Sequence, residues 1–592
     1  MSTTRHSLAQ LMGKAGQAVQ SGRVADADAL LRQAARLAPK DAAVWCNLGM
    51  VSAMRRQHAD AVRQFTRALA LAPDLGPAHV NLARVLFEQE RYGEAEKHAR
   101  RAVALQPDGP MELKILADVM VRRGRVGEGA DLLNRALALR PDWVDALNSL
   151  ASVHRLEGRP HQAIALYRRC MAIRPLESAA RNLVLTHYYD AASDRDSLAA
   201  AVAGWVGLHA GIVPLPPPAN DRDRDRRLRV GYVSADFRNH PVAGNVGPVL
   251  TGHDRSAFEV FAYGLNPTGD SVTRTLSGAV DHWRMVAGLD DAALAGRIRA
   301  DGIDILVILA GWTGDNRLRL AALRPAPLQV SWHDFGTSGL TGMDAWITDG
   351  IIHPPDQTGE AFCEELLRLP CFYLESVPPD APEVTLPPCL AGRPVTFGSF
   401  NHPIKMTDAT LALWAETLRA VPDSRLVLKY RDQFGETGLR HRFAERFAAL
   451  GIAGERLVFL GQTQETRDHL AAYGMVDIAL DTFPFNGSTT TWQALYMGVP
   501  VVSRAGSRFV GRVGLSLLTA LGLDDLAAGS DRDFIAAAAA LAADRDRLAA
   551  LRAGMRGRVA TSPLVDAPAY TRSVEAALRD LWRRRWCRDG SA

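Results

Sequence analysis

Five prolines in the first third of this 592-residue chain follow one another at a constant interval of 34 residues, at Pro39, Pro73, Pro107, Pro141 and Pro175. Small residues recur with the same period in two further series: Ala27, Ala61, Ala95, Gly129 and Ala163, then Ala34, Ala68, Ala102, Ala136 and Cys170. A fixed period sustained over several units indicates a solenoid of stacked helical hairpins rather than one globular core.

The recurring residue types predict how each unit packs. Small residues let two helices of a hairpin approach closely, and proline ends the second helix before the next unit begins. The pattern resembles the tetratricopeptide repeat, as in Trp45-x-x-Leu48-Gly49 followed by Ala61, Phe65, Ala68 and Pro73. We expect about five repeats within residues 1–177, forming an α-solenoid whose concave surface binds an extended peptide or another protein.

Two asparagines, Asn47 and Asn81, occupy the same position of successive repeats. They are candidates for binding the main chain of a protein acceptor, and the alternative is that they are solvated helix residues. Residues 178–213 continue with helical character and are expected to cap the last repeat, because an unpaired terminal face exposes apolar surface. Residues 214–228, which combine consecutive prolines with alternating charges, predict a linker.

After the linker, short apolar segments alternate with helical segments, which is typical of parallel strands joined by crossover helices. The first set is LRVGYVS, FEVFAYG, ILVILAG, LQVSW and DAWITD, and the second is VTFGSF, LVLKY, RLVFLG, DIALD and PVVS. We therefore predict two Rossmann-like α/β lobes, at residues 229–376 and 395–592, with an interlobe connection at residues 377–394.

Charge and cysteine content limit the classes of partner. Lys plus Arg number 69 and Asp plus Glu 65, so the formal net charge of +4 does not favour nucleic acid or a membrane surface as a partner. The six cysteines include no CxxC pair, which argues against a zinc site and a disulfide framework. With no apolar segment long enough to span a membrane and no signal peptide, we expect a cytoplasmic protein.

One motif predicts an anion site in the second lobe. Asn486, Gly487, Ser488, Thr489 and Thr490 follow the predicted strand DIALD and begin a helix. Free amides, hydroxyl groups and the helix dipole at such a position favour a diphosphate, although a helix N-terminus without a ligand is the commoner situation.

Two further segments end predicted strands on the same side. Gly398-Ser-Phe-Asn401-His402-Pro-Ile-Lys405 places an ammonium group where it would stabilise charge on a departing nucleoside diphosphate. His240 follows the strand VGYVS, where it would orient or deprotonate an acceptor hydroxyl or contact the pyrophosphate; a helix-capping role is the alternative.

Together these segments resemble the O-linked N-acetylglucosamine transferase family in its bacterial form. The similarity includes VGYVSADFRNHP, LRPAPLQVSW, TFGSFNHPIK and LDTFPFNGSTTTWQALYMGVPVV, in the family's order. The resemblance implies a two-lobed GT-B glycosyltransferase that inverts the anomeric centre, requires no metal or other cofactor, and transfers N-acetylglucosamine from UDP-GlcNAc to Ser or Thr of proteins selected by the repeats.

The resemblance also implies roles for individual residues. It makes His240 the active-site histidine and Lys405 the essential phosphate-binding lysine. Asn401 and His402 are implied to contact the donor, and Gln464 and His469 to lie near the uridine. Ser488, Thr489 and Thr490 would form the pyrophosphate-binding turn, and Gln493 stands where a carboxylate normally binds the ribose.

Several departures from the family pattern keep other functions open. Gln493 replaces a carboxylate, Trp312 stands where the family usually has histidine, and the segment of residues 332–337 is one residue shorter than usual. One alternative is a repeat scaffold with a weakened or inactive transferase domain. Others are a transferase that uses another UDP-hexose and a glucosyltransferase that modifies asparagine. The sequence does not define the acceptor protein or the oligomeric state.

Overall fold

The computed structural model describes residues 2–355, 359–378, 380–435 and 437–587. Parts of the predicted segments 1–177, 229–376, 377–394 and 395–592 therefore lie outside the described residues. The chain divides into two compact units. The first ends at Leu156 and also takes in Ala165–Arg174; the second takes in Glu157–Ile164 and continues from Pro175.

Successive helices form the hairpins that the proline period predicts. They are α1 (Ser2–Gln20), α2 (Val24–Leu37), α3 (Ala42–Met54), α4 (His58–Leu71), α5 (Gly76–Glu88), α6 (Tyr92–Leu105), α7 (Pro110–Arg122), α8 (Val126–Leu139), α9 (Val144–Leu156) and α10 (Pro160–Ile173). Each proline of the series stands in the loop that follows the second helix of a pair, as expected from its missing N–H group.

The small residues of the repeat lie where the helices of a pair meet. Ala27, Ala61 and Ala95 are fully buried. A Cβ atom added at Gly49 would lie 2.7 Å from the ring of Phe65, so glycine permits this close approach of α3 and α4. The small residues at these helix contacts therefore permit the close approach of the paired helices that the sequence predicts.

Two helices, α11 (Glu177–Tyr189) and α12 (Arg195–Gly207), belong to the second unit. The sequence predicts them to be a cap of the repeats, but they pack on the first lobe. Arg181 Nε donates to the carbonyl of Trp312 (2.9 Å), and the rings of Trp205 and Trp312 are 4.8 Å apart. Burial of these aromatic side chains against the lobe is the physical reason for the difference.

The first lobe is built on a parallel seven-stranded sheet in the order β3-β2-β1-β4-β5-β6-β7. Its elements are β1 (Leu228–Ser234), α13 (Pro241–Gly252), β2 (Phe258–Gly264), α14 (Ser271–Ala279), β3 (His282–Met285), α15 (Asp291–Ala300), β4 (Ile305–Leu309), α16 (Leu320–Leu323), β5 (Leu328–Trp332), β6 (Ala345–Asp349) and β7 (Glu365–Leu369). The strands β4, β5 and β6 are completely buried, which explains their uninterrupted apolar sequences.

The second lobe has a parallel six-stranded sheet in the order β10-β9-β8-β11-β12-β13. The elements along this part of the chain are β8 (Thr396–Ser399), α17 (Asp408–Ala420), β9 (Arg425–Lys429), α18 (Thr437–Ala449), β10 (Leu457–Leu460), α19 (Thr466–Ala471), β11 (Ile478–Leu480), α20 (Thr489–Tyr496), β12 (Val501–Arg504), α21 (Val513–Ala520), β13 (Ala527–Ala528), α22 (Asp531–Ala543), α23 (Arg545–Ala560) and α24 (Ala567–Cys587). An α-solenoid followed by two parallel-sheet α/β lobes is thus the observed fold.

The last helix, α24, leaves the second lobe and packs on the first. Glu575 Oε1 accepts a hydrogen bond from the amide of Asp254 (2.7 Å), and Trp582 Nε1 donates to the carbonyl of Asp223 (3.1 Å). The predicted second lobe, residues 395–592, therefore ends too late in the chain. The reason is a long-range burial of apolar and aromatic side chains that no local pattern reveals.

The predicted linker, residues 214–228, has no helix or strand before β1 begins at Leu228. It is nevertheless attached to the first lobe, because Arg226 donates to the buried carboxylate of Asp304 and the amide of Leu215 donates to the carbonyl of Leu323. Among the helices of the described residues, none combines the length and apolar character needed to cross a bilayer. All six cysteines are free thiols.

Candidate functional site

Each sheet reverses its strand order at one point, and polar residues gather there. In the second lobe the reversal falls between β8 and β11, and in the first between β1 and β4. Ligands of open parallel sheets bind at the carboxyl ends of the strands beside such a point. Lys405 follows β8, the run Asn486–Thr490 follows β11, and His240 follows β1.

A cavity of about 570 Å³ opens at the carboxyl edge of the second sheet. Its volume is in the range that small-molecule sites occupy. The lining includes predicted site residues from three separate segments of the chain: Asn401, His402, Lys405, Gln464, His469, Ser488, Thr489, Thr490 and Gln493. The structure therefore brings most of the predicted binding residues of the second lobe together around one cavity, and Pro241 of the first lobe lines the same cavity beside His240.

Lys405 provides the cavity with a positive charge. Its Nζ donates to the carbonyl oxygen of Asn486 (2.7 Å) and lies 4.2 Å from the centre of the Phe485 ring. Burial lowers the pKa of Lys405 to about 8, while nearby Asp481 opposes that shift. The ammonium form thus predominates at neutral pH, and a bound phosphate would stabilise it further.

The loop before α20 presents amides to the cavity, but not all of those predicted. Ser488 is the N-cap of α20, and the first-turn amides of Thr489 and Thr490 have no acceptor among the described residues. The amide of Gly487 instead donates to Asp481 Oδ1 (2.6 Å). The prediction that Gly487 supplies an amide to the diphosphate is therefore wrong, because a buried carboxylate already accepts that hydrogen.

Asp481 and Asn486 maintain the shape of this loop. Asp481 also accepts from the amide of Thr482 (2.8 Å) and the hydroxyl of Ser503 (2.7 Å), and burial raises its pKa to about 6. The Asn486 side chain donates to the carbonyl of Thr482 and accepts from the amide of Gly514. Asn486 is fully buried, so it positions the loop and does not present its side chain to a ligand.

Asn401 contacts the same turn from the loop after β8. Its Oδ1 accepts a hydrogen bond from the hydroxyl of Thr490 (2.7 Å). His402 is the N-cap of the short turn Pro403–Lys405, where its Nδ1 accepts from the amide of Ile404 (3.0 Å). These two residues therefore support Thr490 and Lys405 in addition to lining the cavity.

His240 is the N-cap residue of α13. Its Nδ1 accepts a hydrogen bond from the amide of Val242 (3.3 Å), so a neutral ring carries its proton on Nε2. Asp236 Oδ1 lies 3.7 Å from the same Nδ1 atom, beyond hydrogen-bonding distance. Burial lowers the pKa of His240, with an opposing contribution from Asp236. His240 therefore acts as a helix cap whose neutral ring carries its proton on Nε2; it is not itself among the residues that line the cavity, although the next residue, Pro241, is.

His469 and Gln493 form one hydrogen-bonded pair deeper in the cavity. His469 Nε2 lies 3.0 Å from Gln493 Oε1, and His469 Nδ1 lies 2.9 Å from Lys429 Nζ. Burial lowers the pKa of His469, and Lys429 acts in the same direction, while the hydrogen bond to Gln493 opposes them. Gln493 thus contacts the histidine as well as the cavity.

The departures from the family pattern in the first lobe lie in packed regions. Trp312 is fully buried and its Nε1 donates to the carbonyl of Thr337 (2.9 Å). His333 has a left-handed backbone with φ of 55°, and burial lowers its pKa to about 3. Burial also raises the pKa of neighbouring Asp334 to about 7. None of these three residues is among those that line the described cavity.

The two asparagines of the repeats lie in the first unit. Asn47 is half-buried in α3. Asn81 donates to the carbonyl of Pro77 (2.9 Å) and accepts from Arg84 (3.1 Å), so its side chain is bonded within its own helix α5. A role for either asparagine in binding an acceptor stays a prediction.

Sequence reasoning missed several cavity residues, among them Tyr189 and Lys429. Tyr189, at the end of α11, lines the cavity and its ring stacks on that of Phe485, with centres 4.8 Å apart. Lys429 ends an apolar strand, where a lysine usually marks the solvent end of the strand. The burial of Lys429 depends on the packing of the folded chain, so the sequence alone did not reveal it. Within the described part of the chain, no cluster of three or more His, Cys, Asp or Glu is arranged to hold a metal ion.

Comparison with known proteins agrees with this architecture. The model of glycosyl transferase family 41 matches residues 213–375 and 389–574, and two tetratricopeptide repeat models match residues 40–108 and 116–176. A solved structure, a mutant O-GlcNAc transferase of Thermobaculum terrenum, superposes with a TM-score of 0.79 at 34% identity, covering 87% of this chain and 98% of that one.

Curated relatives are similar over about two thirds of this chain. A probable UDP-N-acetylglucosamine–peptide N-acetylglucosaminyltransferase SPINDLY of Oryza sativa subsp. japonica is 41% identical over 379 residues, 63% of this chain and 40% of the relative. The probable transferase SEC of Arabidopsis thaliana is 30% identical over 393 residues, again 40% of the relative. The chain thus spans about 40% of the length of these relatives. With its catalytic lobes matched on both sides of the interlobe connection, the chain belongs to glycosyl transferase family 41.

Proposed function

We propose that this protein is an inverting protein O-glycosyltransferase that moves N-acetylglucosamine from UDP-GlcNAc to Ser or Thr side chains. The observation that carries the proposal is the cavity of about 570 Å³ beside the switch point between β8 and β11, which both Lys405 and the first turn of α20 line. A diphosphate is the ligand whose charge and size suit that combination. Membership of family 41 supports the reaction class.

In the proposed reaction, the oxygen of the acceptor hydroxyl attacks the anomeric carbon while the bond from that carbon to the diphosphate oxygen breaks. The electron pair leaves with UDP on the opposite face, and the hydroxyl proton passes to a base or to solvent. Lys405 and the amides of Ser488, Thr489 and Thr490 stabilise the negative charge that develops on the leaving group. This is the electrostatic role that a divalent cation has in other transferases, so the proposal needs no metal.

His240 enters the mechanism as a hydrogen-bond donor. Because its Nδ1 accepts the amide proton of Val242, the neutral ring carries its proton on Nε2, and the neighbouring Pro241 lines the cavity. An Nε2–H group can stabilise an oxygen of the donor diphosphate, but in this tautomer it does not accept the proton of the acceptor hydroxyl. We therefore assign His240 to donor binding and leaving-group stabilisation.

The repeats of the first unit complete the proposal as the part that selects the acceptor protein, because stacked helical hairpins provide an extended binding surface. Six free thiols favour a reducing compartment, so we place the reaction in the cytoplasm.

A second candidate is transfer of a different nucleotide-bound sugar. Gln493 favours it, because its neutral amide stands where the resembling family has a carboxylate and its oxygen is already bonded to His469 (3.0 Å). We infer that the contact between residue 493 and the ribose of the donor differs from the contact in the family, which permits a different donor.

The test is to incubate the full-length protein with a host lysate and separate radiolabelled nucleotide sugars, followed by mass spectrometry of the modified peptides. UDP-GlcNAc should label Ser or Thr, and Lys405→Met should reduce labelling by at least about 100-fold because a developing charge loses its partner. Arg532→Met, which removes an exposed cation from α22 of the same lobe, is the matched control and should label normally. Labelling from another sugar alone supports the second candidate, and absence of labelling with all donors contradicts both.

A further inference from the structure

A buried lysine that the proposed mechanism does not use lies in the nucleotide cavity. Lys429 is the last residue of β9 and is only 2% exposed. Its Nζ lies 2.9 Å from His469 Nδ1 and 3.3 Å from Thr463 Oγ1. Lys429 forms no ion pair with a carboxylate among the described residues, and burial lowers the pKa of its ammonium group without an opposing contribution from an acidic side chain. A buried cation without such a partner is costly to maintain, which is typical of a binding function.

The direction of each hydrogen bond follows from the ammonium group. An ammonium group only donates, so His469 Nδ1 accepts and His469 Nε2 carries the ring proton. That proton is then donated to Gln493 Oε1. Lys429 thereby determines both the tautomer of His469 and the orientation of the Gln493 amide.

Lys429 and Gln493 present hydrogen-bond donors to a ligand in this part of the cavity. Lys429 uses two of its three N–H groups on His469 and Thr463, which leaves one for a ligand. The amide nitrogen of Gln493 has no acceptor among the described residues. Both residues line the cavity, so a ligand group placed here is favoured when it carries acceptor oxygens.

The positions of the cavity residues relative to the N-terminus of α20 indicate which part of a nucleotide reaches Lys429 and Gln493. The diphosphate site is at Thr489 and Thr490, and Gln493 lies about one helical turn further along α20, a rise of roughly 5.4 Å. His469 is hydrogen-bonded to Gln493, and Lys429 is hydrogen-bonded to His469. A nucleoside that extends from phosphates at the helix N-terminus past Gln493 therefore reaches Thr463, His469 and Lys429.

We propose that Lys429 is a specificity-determining residue that donates a hydrogen bond to a carbonyl oxygen of the nucleobase. The recognised atom is O4 of uracil or O6 of guanine, so the cavity prefers these bases over cytosine and adenine, which carry an amino group at the corresponding position. The proposal rests on the proposed function insofar as it requires a nucleoside diphosphate in this cavity.

The experiment is titration calorimetry of the full-length protein with UDP, GDP, CDP and ADP. Wild-type protein should bind at least one of the two keto nucleotides about tenfold more tightly than CDP and ADP, the amount expected from one hydrogen bond to a charged donor. Lys429→Met should remove that advantage and change the affinities for CDP and ADP by less than about twofold. Lys429→Gln, whose amide donates and accepts, should narrow the difference between UDP and CDP and provides a second variant if the first does not fold.

Lys405→Met is the matched control for a lysine that contacts phosphate. It should weaken the binding of all four nucleotides by a similar factor and leave their ranking unchanged. An equal loss for all four in Lys429→Met, or an unchanged keto preference, would overturn the assignment while the proposed function stands. Wild-type protein that binds none of the four would contradict the proposed function itself.

Discussion

The ammonium nitrogen of Lys405 lies 2.7 Å from the main-chain oxygen of Asn486, the residue that begins the turn into α20. This bond joins the loop after β8 to the loop after β11, so the cation and the helix amides remain aligned in the absence of a ligand. Because these groups are already in place, little reorganisation energy is required when negative charge develops on a leaving group.

The pKa of Lys405 predicts how nucleotide binding depends on pH. Burial lowers that pKa to about 8, so the free protein loses the ammonium charge as the pH rises through this value. A bound diphosphate favours the protonated form, and affinity for UDP should therefore fall between pH 7 and pH 9.5. Calorimetry across this range measures the effect. Lys405→Met should bind weakly and without this dependence; a wild-type affinity that is constant to pH 9.5 would contradict the prediction.

The hydrogen bond from Val242 to His240 predicts that kcat/KM depends on a histidine with a lowered pKa. Because the active ring is neutral and burial lowers its pKa, kcat/KM should stay high at pH values just below the ordinary histidine pKa of about 6.5 and decline only under more acidic conditions. His240→Phe should lower kcat by about 100-fold through loss of the Nε2–H donor.

His441 offers a matched control for the His240 variant. Its side chain is 76% exposed and belongs to α18 of the second lobe. His441→Phe should leave both kcat and the pH profile unchanged. An acidic limb above pH 6.5 in the wild-type profile would contradict the lowered pKa of His240, and activity that rises as the pH falls would show that the protonated ring is the active form.

Replacing Gln493 with glutamate tests the hydrogen-bonded chain from Lys429. A carboxylate opposite His469 Nε2 stabilises the imidazolium form, so Gln493→Glu should raise the pKa of His469 relative to the wild-type protein, in which burial lowers it. Histidine proton resonances followed by NMR report this titration directly. A His469 titration unmoved by the substitution would disprove the contact.

Replacing Gly336, which contacts α11, with a larger residue is expected to create an overpacked contact. A Cβ atom added at Gly336 would overlap the hydroxyl of Tyr188, whose side chain is fully buried. Gly336→Ala should lower the free energy of unfolding by about 1–3 kcal/mol, the usual result of overpacking. Denaturant unfolding checks this value. Gly296→Ala in α15, where nothing lies within 4 Å of the new Cβ, should be neutral or stabilising by up to ~1 kcal/mol, so equal loss in both variants would contradict the packing argument.

Regular elements were predictable where the pattern of residues is local. The proline period placed the loops after α2, α4, α6, α8 and α10, because each repeat contacts mainly its neighbours. Central strands such as β4 were recognisable from uninterrupted apolar residues. The edge strands β3, β7 and β13 were missed, since β3 and β7 are only partly buried and β13 has two residues.

Within the candidate site, sequence reasoning found residues whose position relative to a strand end is informative. Lys405, His240 and the Ser488–Thr490 turn are of this kind. It misjudged Gly487, whose amide is bonded to Asp481, and overlooked Tyr189 and Lys429. These three depend on which side chains lie across the cavity, and that depends on the packing of separate elements.

By itself, then, the sequence determined the repeat length, the presence of two parallel-sheet lobes and the family, because periodicity and short motifs are properties of neighbouring residues. Only the tertiary structure decided that α11 and α12 pack on the first lobe and that α24 returns to it. It also decided that Lys429, His469 and Gln493 form one chain of hydrogen bonds. The physical reason is that burial of aromatic and charged side chains depends on contacts between residues tens to hundreds of positions apart, which no local pattern encodes.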